Sequence, residues 1–446
     1  MYYSLILQLR SPRNRVLKVI ARLLSPALLL IASFASPADS VESVFQAAER
    51  YTVKLRTTTL HPFLDDEEGV STGSGFLLDK NEGWVLTNRH VAAEGPSEVE
   101  VRFKDTGYFE AEKVYLDPNL DLAILKIDPD SIPVNAIEAP LGCYEGTSTG
   151  NAVVIYGHPS GLNFTGTRGI VSGTIYTYRN EWIQTDAPLN FGNSGGPLIG
   201  VESGKVVGVN TARHGDDDTE GLNFAIAIDH VCRIVELIES GQNPSPPALP
   251  IIFVNHDLDD PKLKVARSLF ADKSLLLPGD VITGIEGQEQ TVTNIDQLNF
   301  LLRGVEGEVQ LGVLRKSERL TVTIPVTPAP YMLEEEAVSF SGVTIKNLHL
   351  LDGAENNLQG TLFVVGVNEG STADWTGFET WDSIYAIDGV DVSNQSLRDL
   401  HRALLPFNGN GEEVSFILRY FSSGRRSVFQ YYSMSMKIED LEIYSQ

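Results

Sequence analysis

Ser194 sits in the phrase DAPLNFGNSGGPL, residues 186–198, with glycines on both sides of it. Glycine there lets the backbone turn sharply and leaves main-chain N–H groups able to converge on an oxyanion, which bulky side chains would hinder. A serine hydroxyl is a weak nucleophile until a neighbouring base accepts its proton, and that base must be oriented by a carboxylate. Candidates for both lie upstream: His90 in VLTNRHVAA and Asp121 in NLDLAILKID. Each stands at the end of an apolar, β-like run, where a side chain can be held rigidly and still face a cleft. The main-chain amides of Gly192, Asn193 and Ser194 are the candidate oxyanion donors, with Gly192 and Ser194 foremost. Such a donor is worth about 3 kcal/mol in a tetrahedral transition state.

GNSGG also satisfies the G-x-S-x-G pattern, which in an α/β-hydrolase carries the nucleophile with Asp and then His further along the chain. The downstream sequence lacks the alternating strands and helices of that fold, so an esterase of that kind is disfavoured. The order His, Asp, Ser is instead that of the chymotrypsin-type arrangement. Asp117 and Asp186 compete with Asp121 for the carboxylate role, and Asp186 is expected to brace the serine loop. His158 and His214 are expected in loops near the cleft, in structural roles. No HExxH or EF-hand pattern occurs, so neither a metal nor another cofactor is expected. Cys143 and Cys232 lack CxxC or CxxH neighbours and are expected to be unpaired structural residues, although an oxidising compartment would permit a bridge.

The elements that must position these residues are short. Between Tyr51 and about Ile228, apolar runs such as GSGFLLD, GWVLTNRHV, NAVVIYGHP and KVVGVNTA are punctuated by Gly, Asn, Asp and Pro. That spacing predicts an all-β barrel or sandwich. AIDHVCRIVELIESG then switches to helical period, with Val231, Ile234, Val235 and Leu237 apolar, and stops at Gly241. The catalytic unit is therefore placed at 39–242, followed by a Pro-rich linker at 243–250, a second unit at 251–327, a linker at 328–336 and a third unit at 337–432. The two later units share diverged phrases, LLLPGDVITGIEGQEQ and GFETWDSIYAIDGVDV, each followed by a short helical stretch and a strand. Residues 433–446 carry no clear signal and are read as a tail.

A chain of 446 residues is too long for a single ordinary core, and 42% hydrophobic content fits folded material rather than disorder. The first 38 residues carry Arg10, Arg13, Arg15, Lys18 and Arg22 without one acidic residue, then the apolar run Leu23 to Ala35 and small residues in SFASPAD. This is the order of a secretory signal, with cleavage expected after Ala35 or Ala38; an uncleaved anchor or an organellar transit peptide are the alternatives. The formal charge is −25, and loss of residues 1–38 would leave 29 basic against 59 acidic side chains, a balance of −30. Such a surface repels phosphate backbones, so nucleic acid is excluded as a partner.

The phrases GSGFLLD, LTNRHV, DLAILKI, GHPSGLNFTGTRGIVSG, IQTDAPLNFGNSGGPLI and GLNFAIAI, in that order and spacing across residues 41–241, resemble the HtrA/Deg family of serine proteases. The resemblance implies a mainly β chain: a trypsin-like double six-stranded β-barrel followed by two PDZ-like α+β domains. It implies cofactor-free peptide hydrolysis in the periplasm, a homotrimer as the smallest assembly, and unfolded proteins and C-terminal peptides as partners. A pocket for Arg or Lys needs a carboxylate at its base, whereas Pro188 and Leu189 occupy that stretch and Val209, Asn210 and Thr211 would form a wall. A shallow apolar pocket taking Val, Ala or Leu is expected. The stretch between Ser172 and Ile183 is shorter than the family's sensor loop, with Arg179 retained. In FSGVTI of the third unit, Phe340, Gly342 and Val343 are candidates for a peptide groove, while the second unit, beginning PIIFVNHD, reads as a spacer. The competing function is a chaperone-like scaffold that binds unfolded clients with little proteolysis.

Overall fold

The computed structural model describes residues 41–445 apart from 60, 61, 64, 65, 67, 178, 214–221, 255–260, 273, 330–335, 348–361, 394 and 423–427. The expected leader and His214 lie outside the described residues. Among those described, no helix is long and apolar enough to cross a membrane.

A helix, α1 (Val41–Ala48), leads into six strands: β1 (Thr52–Thr59), β2 (Gly69–Asp79), β3 (Trp84–Thr87), β4 (Ser97–Arg102), β5 (Phe109–Leu116) and β6 (Ala123–Lys126). They close as an antiparallel barrel in the order β1-β2-β3-β6-β5-β4. In β4 the sequence SEVEVR alternates cleanly, burying Val99 and Val101 and turning Glu98 and Glu100 outward. Between β3 and β4 lies a single helical turn, α2 (Arg89–Ala92).

The second barrel comprises β7 (Ala152–Gly157), β8 (Thr165–Thr177), β9 (Asn180–Thr185), β10 (Pro197–Gly200), β11 (Val206–Arg213) and β12 (Asn223–Ala227), in the order β10-β11-β12-β9-β8-β7. Its strand β7 is apolar at successive positions, for a definite reason. Val153 and Ile155 fill the second barrel's own core, whereas Val154 and Tyr156 join the cluster built around Leu55, Phe76 and Leu86 of the first. One strand thus serves two cores, and the barrels share an apolar cluster where they meet. The helix expected after β12 is α3 (Ile228–Glu239).

Two α+β units follow, as expected of PDZ-like modules. The first is a sheet of β13 (Ile251–Phe253), β14 (Leu263–Ser268), β15 (Val281–Ile285), β16 (Gly307–Arg315) and β17 (Glu318–Val326), with α4 (Ile295–Leu302) between β15 and β16. The second contains β18 (Glu336–Phe340), β19 (Val343–Asn347), β20 (Leu362–Val367), α5 (Thr372–Thr376), β21 (Ser383–Ile387), β22 (Val390–Asp391), α6 (Leu397–Leu404), β23 (Glu413–Ser422), β24 (Val428–Lys437) and β25 (Glu442–Ser445).

Three expectations need correction. Residues 433–446 do not form a featureless tail: β24 runs on to Lys437, Ile438 and Leu441 enter the core, and β25 pairs with β18. FSGVTI is not an open groove entrance but a tight hairpin, in which Phe340 pairs with Val343 across Ser341 and Gly342, both at positive φ. Phe340 and Val343 are buried in the domain core, and both edges of β19 are already taken by β18 and β20. A peptide cannot add beside β19 while β18 is there.

The third correction concerns the cysteines. Cys143 and Cys232 form a disulfide across 89 residues of sequence, with their Cα atoms 6.0 Å apart. The Gly142 N–H donates to Val206 O, and the Tyr144 N–H donates to the Asp229 carboxylate in the first turn of α3. These two bonds lay residue 143 over the helix that carries Cys232. A disulfide typically stabilises by about 2–4 kcal/mol, largely through the unfolded chain. Replacing both cysteines by serine is expected to lower the Tm of the protease unit by about 5–15 °C in non-reducing buffer. Unchanged melting, or free thiols on the intact chain by mass spectrometry, would count against the bridge.

Candidate active site

Asp121 lies on the loop between β5 and β6, where two distant segments reach it. His90 Nδ1 is 2.6 Å from Asp121 Oδ2, and the His90 main-chain N–H donates to Oδ1 at 3.0 Å. The carboxylate therefore fixes both the ring and the backbone of the first helical turn. From the second barrel, Thr211 Oγ1 donates to Oδ2 at 2.5 Å. Asn88 Nδ2 donates to the Asp121 carbonyl at 2.7 Å, which ties the end of β3 to the same loop. The His90 side chain is 46% exposed and that of Asp121 19%, so the imidazole faces the cleft while its partner is mostly covered.

Burial by itself pulls the His90 pKa down. The Asp121 charge and hydrogen bond more than offset that, and the imidazolium is held above the ordinary histidine value. Burial likewise pushes the Asp121 pKa up, but the facing His90 charge and the bonds from His90 and Thr211 bring it below the usual carboxylate range. A neutral imidazole with Nδ1–H on Asp121 leaves Nε2 as the basic atom.

The Ser194 turn is wedged between the barrels. At Gly195, φ is +82°, and a Cβ there would stand 2.2 Å from Ser74 O and 2.3 Å from Thr87 Oγ1, so only glycine lets the turn lie against the strand that leads to His90. Because peptide units are trans, pinning a carbonyl aims the N–H on its other side. The Ser160 N–H donates to Phe191 O at 2.6 Å, which sets the direction of the Gly192 N–H. The Gly196 N–H donates to Asn193 O at 3.0 Å, which sets that of Ser194. Asn193 is corrected as an oxyanion donor: its N–H is spent on Asn190 O at 3.0 Å. Gly192 and Ser194 remain.

Ser74 and His158 complete this brace, and sequence reasoning did not assign Ser74 a role. Ser74 Oγ donates to Gly192 O at 2.6 Å, and its main-chain N–H donates to Ser194 O at 2.9 Å. With that hydroxyl proton committed, the 3.1 Å contact to His158 Nδ1 has the ring N–H donating. His158 is fully buried; burial, then the charges of Lys54 and Arg102, push its pKa down to about 3, so it stays neutral. The signal available was the serine between two close-packed glycines in GSG, which places a hydroxyl where a larger side chain would not fit.

The other candidates are accounted for. Asp117 is fully buried and paired with Arg303 Nη1 at 2.6 Å, and it also accepts from Tyr115 and from the Asn119 and Leu120 N–H groups. It therefore shapes the Asp121 loop without facing His90. Asp186 accepts from the Ile170 N–H at 2.7 Å, tying the serine loop to β8. Leu189 packs in the second barrel's core with Ala187 and Leu198. Val209, Asn210 and Thr211 are buried, with Asn210 donating to Gly196 O and Thr211 to Asp121. Buried as whole residues, they present no open wall to a pocket, contrary to expectation. Phe191, just before Gly192, is 88% exposed. Arg179, at positive φ, stands between Thr177 and Asn180, the paired ends of β8 and β9.

This geometry has counterparts. A family model described as a trypsin-like peptidase domain matches residues 73–209. The chain is 32% identical over 357 residues to a probable periplasmic serine endoprotease, DegP-like, of Hahella chejuensis, covering 73% of this chain and 74% of that one. It is 29% identical over 347 residues to the periplasmic serine endoprotease DegP of Salmonella typhimurium, covering 73% and 70%. Among solved structures it is similar to the HtrA-type protease AlgW with tripeptide, with a TM-score of 0.53, 28% identity, and coverage of 65% of this chain and 98% of that one.

The electrostatics of the His90–Asp121 pair can be read directly. In an NMR titration, the His90 midpoint is expected above the ordinary value of about 6.5. In Asp121→Asn it should fall below that value, because burial and the Arg89 charge then outweigh the remaining pull of the Asp66 charge. Equal midpoints in the two proteins would dismiss the assignment.

Proposed function

The chain belongs to the HtrA/DegP family of serine endoproteases, and from that premise we propose that His90, Asp121 and Ser194 are its catalytic triad. Ser194 Oγ attacks the scissile carbonyl while His90 Nε2 takes its proton. The protonated imidazole, held by Asp121, then passes that proton to the leaving amine, and water releases the acyl group by the same steps in reverse roles. The N–H groups of Gly192 and Ser194 receive the oxyanion. The observation that carries this reading is the Asp121 carboxylate, which accepts from both the His90 ring and its main chain while the GNSGG turn packs against the strand entering His90.

The substrates are proteins. Within that class the reading favours unfolded or damaged chains cut after small or aliphatic residues. Leu189 lies in an apolar cluster where a basic-residue pocket would need a carboxylate, and Phe191 offers an exposed aromatic contact at the lip of the turn. Aliphatic residues are buried in folded proteins, so a pocket selecting them selects unfolding. A periplasmic location is supported by the relatives, which are periplasmic serine endoproteases by name, and by the leader-like amino terminus. A homotrimer remains part of this proposal. The first α+β unit is assigned a spacer role, supported by the bonds of Glu181 to Asn294 and Gln297. For the last unit no groove residue is proposed.

Incubation with unfolded casein tests the triad. Ser194→Ala should lower kcat by about a million-fold. If wild type and variant both leave casein intact while suppressing its aggregation, the scaffold reading replaces this one. With a panel of peptides, cleavage after Val, Ala or Leu should exceed cleavage after Arg or Lys by about 100-fold. Dominant cleavage after Arg or Lys would end the apolar-pocket proposal.

A further inference from the structure

Between β1 and β2, Pro62 and Phe63 reach the last sheet. Phe63 is buried in a small cluster with Ala337 of β18, Val365 of β20 and Tyr444 of β25, separate from that domain's own core. Its ring stacks with Tyr444 at 6.3 Å between centroids, and Lys346 Nζ lies 4.9 Å from the ring centre. Beside it, Gly366 is without a side chain for a visible reason: a Cβ there would stand 1.9 Å from Pro62 O. The outer face of the last sheet is therefore shaped to take this loop.

Three residues on, the same loop grips the segment that follows His90. The Asp66 carboxylate accepts from the Glu94 N–H at 2.9 Å and from the Gly95 N–H at 2.7 Å. It is also bonded to Phe63, whose N–H donates to Asp66 Oδ2 at 3.1 Å and whose carbonyl accepts from the Asp66 N–H at 2.8 Å. Opposite Asp66, Lys113 Nζ donates to the Ala93 and Gly95 carbonyls at 2.8 and 2.6 Å. Ala93 needs that grip, since its φ of 64° is a strained conformation for a residue with a Cβ. Ala93 ends the helical turn on which His90 stands.

We propose that Asp66 is a positioning residue for His90, and that it is seated by Phe63 docked on the outer face of the last α+β unit. This rests on the reading of His90 as the general base. An unbroken run of contacts leads from the last sheet through Phe63 and Asp66 to residues 93–95 and so to the imidazole. When the sheet holds Phe63, Asp66 holds Glu94 and Gly95 where His90 meets Asp121. When Phe63 is unseated, the end of α2 relaxes and the base moves off line.

The test uses the full chain, with Tm, kcat and KM measured for Phe63→Ala, Asp66→Asn and the double variant on a peptide that the wild type cleaves. Each single variant should lower kcat by about 10-fold, with KM within about twofold, because misplacing a catalytic group weakens chemistry rather than binding. The double variant should be no worse than either single one, as expected of residues acting in series. Phe63→Leu, which keeps an apolar plug, should recover most of the loss. The proposal is overturned if kcat is unchanged while Tm falls, or if the two losses multiply. Should Asp66→Asn fail to fold, Phe63→Ala and Phe63→Leu decide alone. Ser194→Ala runs alongside: if that protein still cleaves, the triad reading has failed, and the fault is not with Asp66.

Discussion

Everything in the protease unit depends on one mostly covered carboxylate at the seam of two barrels. Asp121 accepts from His90 on one barrel and from Thr211 on the other, so its bonds form only when both barrels are closed and docked. Closure provides the rigidity: with every strand paired on both sides, the loops that carry His90, Asp121 and Ser194 inherit fixed ends. The doubly apolar strand β7 then supplies the seam itself, filling one barrel with Val153 and Ile155 and meeting the other through Val154 and Tyr156.

The oxyanion turn obeys a related constraint, written in main chain rather than side chains. A trans peptide points its N–H away from its carbonyl, so the two donors are aimed by what their neighbouring carbonyls bind. Ser160 and Gly196 hold Phe191 O and Asn193 O, and Ser74 takes Gly192 O and Ser194 O. The hydroxyl of Ser74 thereby joins the first barrel to a loop of the second, as Thr211 joins the second to a carboxylate of the first.

What could be read from sequence follows the range of the forces involved. The period-two strands and the helix of α3 are local patterns and stand where expected, whereas His90 stands on a helical turn beyond β3 and Asp121 in the loop before β6. Features made by docking were not legible. The Cys143–Cys232 pairing exists because the loop at 142–144 is bonded to Val206 and Asp229, which no spacing rule announces. Ser341 and Gly342 carry the residue types of a binding loop and of a hairpin alike, and the choice between them is made by β18 and β20 flanking β19. The C-terminal strand hides in a charged stretch whose burial rests on Ile438 and Leu441. Thr211 is polar in an apolar strand, a sign of an internal partner that sequence alone could not name.

The appended units bear on the site through contacts of different character. Arg303 of the first α+β unit enters the protease unit and meets Asp117, Tyr115 and the Pro244 carbonyl in full burial. Burial would pull the Arg303 pKa down, but the Asp117 charge and these bonds raise it well above its ordinary value, so it stays charged. Pairing two buried ions adds little net stability, since both have lost their water, but removing one partner costs about 3–5 kcal/mol. That asymmetry makes the contact a poor hinge, and the bonds of Asn294 and Gln297 to Glu181 beside the short β8–β9 hairpin point the same way. The Phe63 contact is different in kind. A single aromatic ring on an outer sheet face is worth about 2–3 kcal/mol by area. The two later units thus reach the protease unit by contacts of different kinds: a buried ion pair at Asp117 braces the Asp121 loop, while an apolar ring reaches, through Asp66, the segment behind His90.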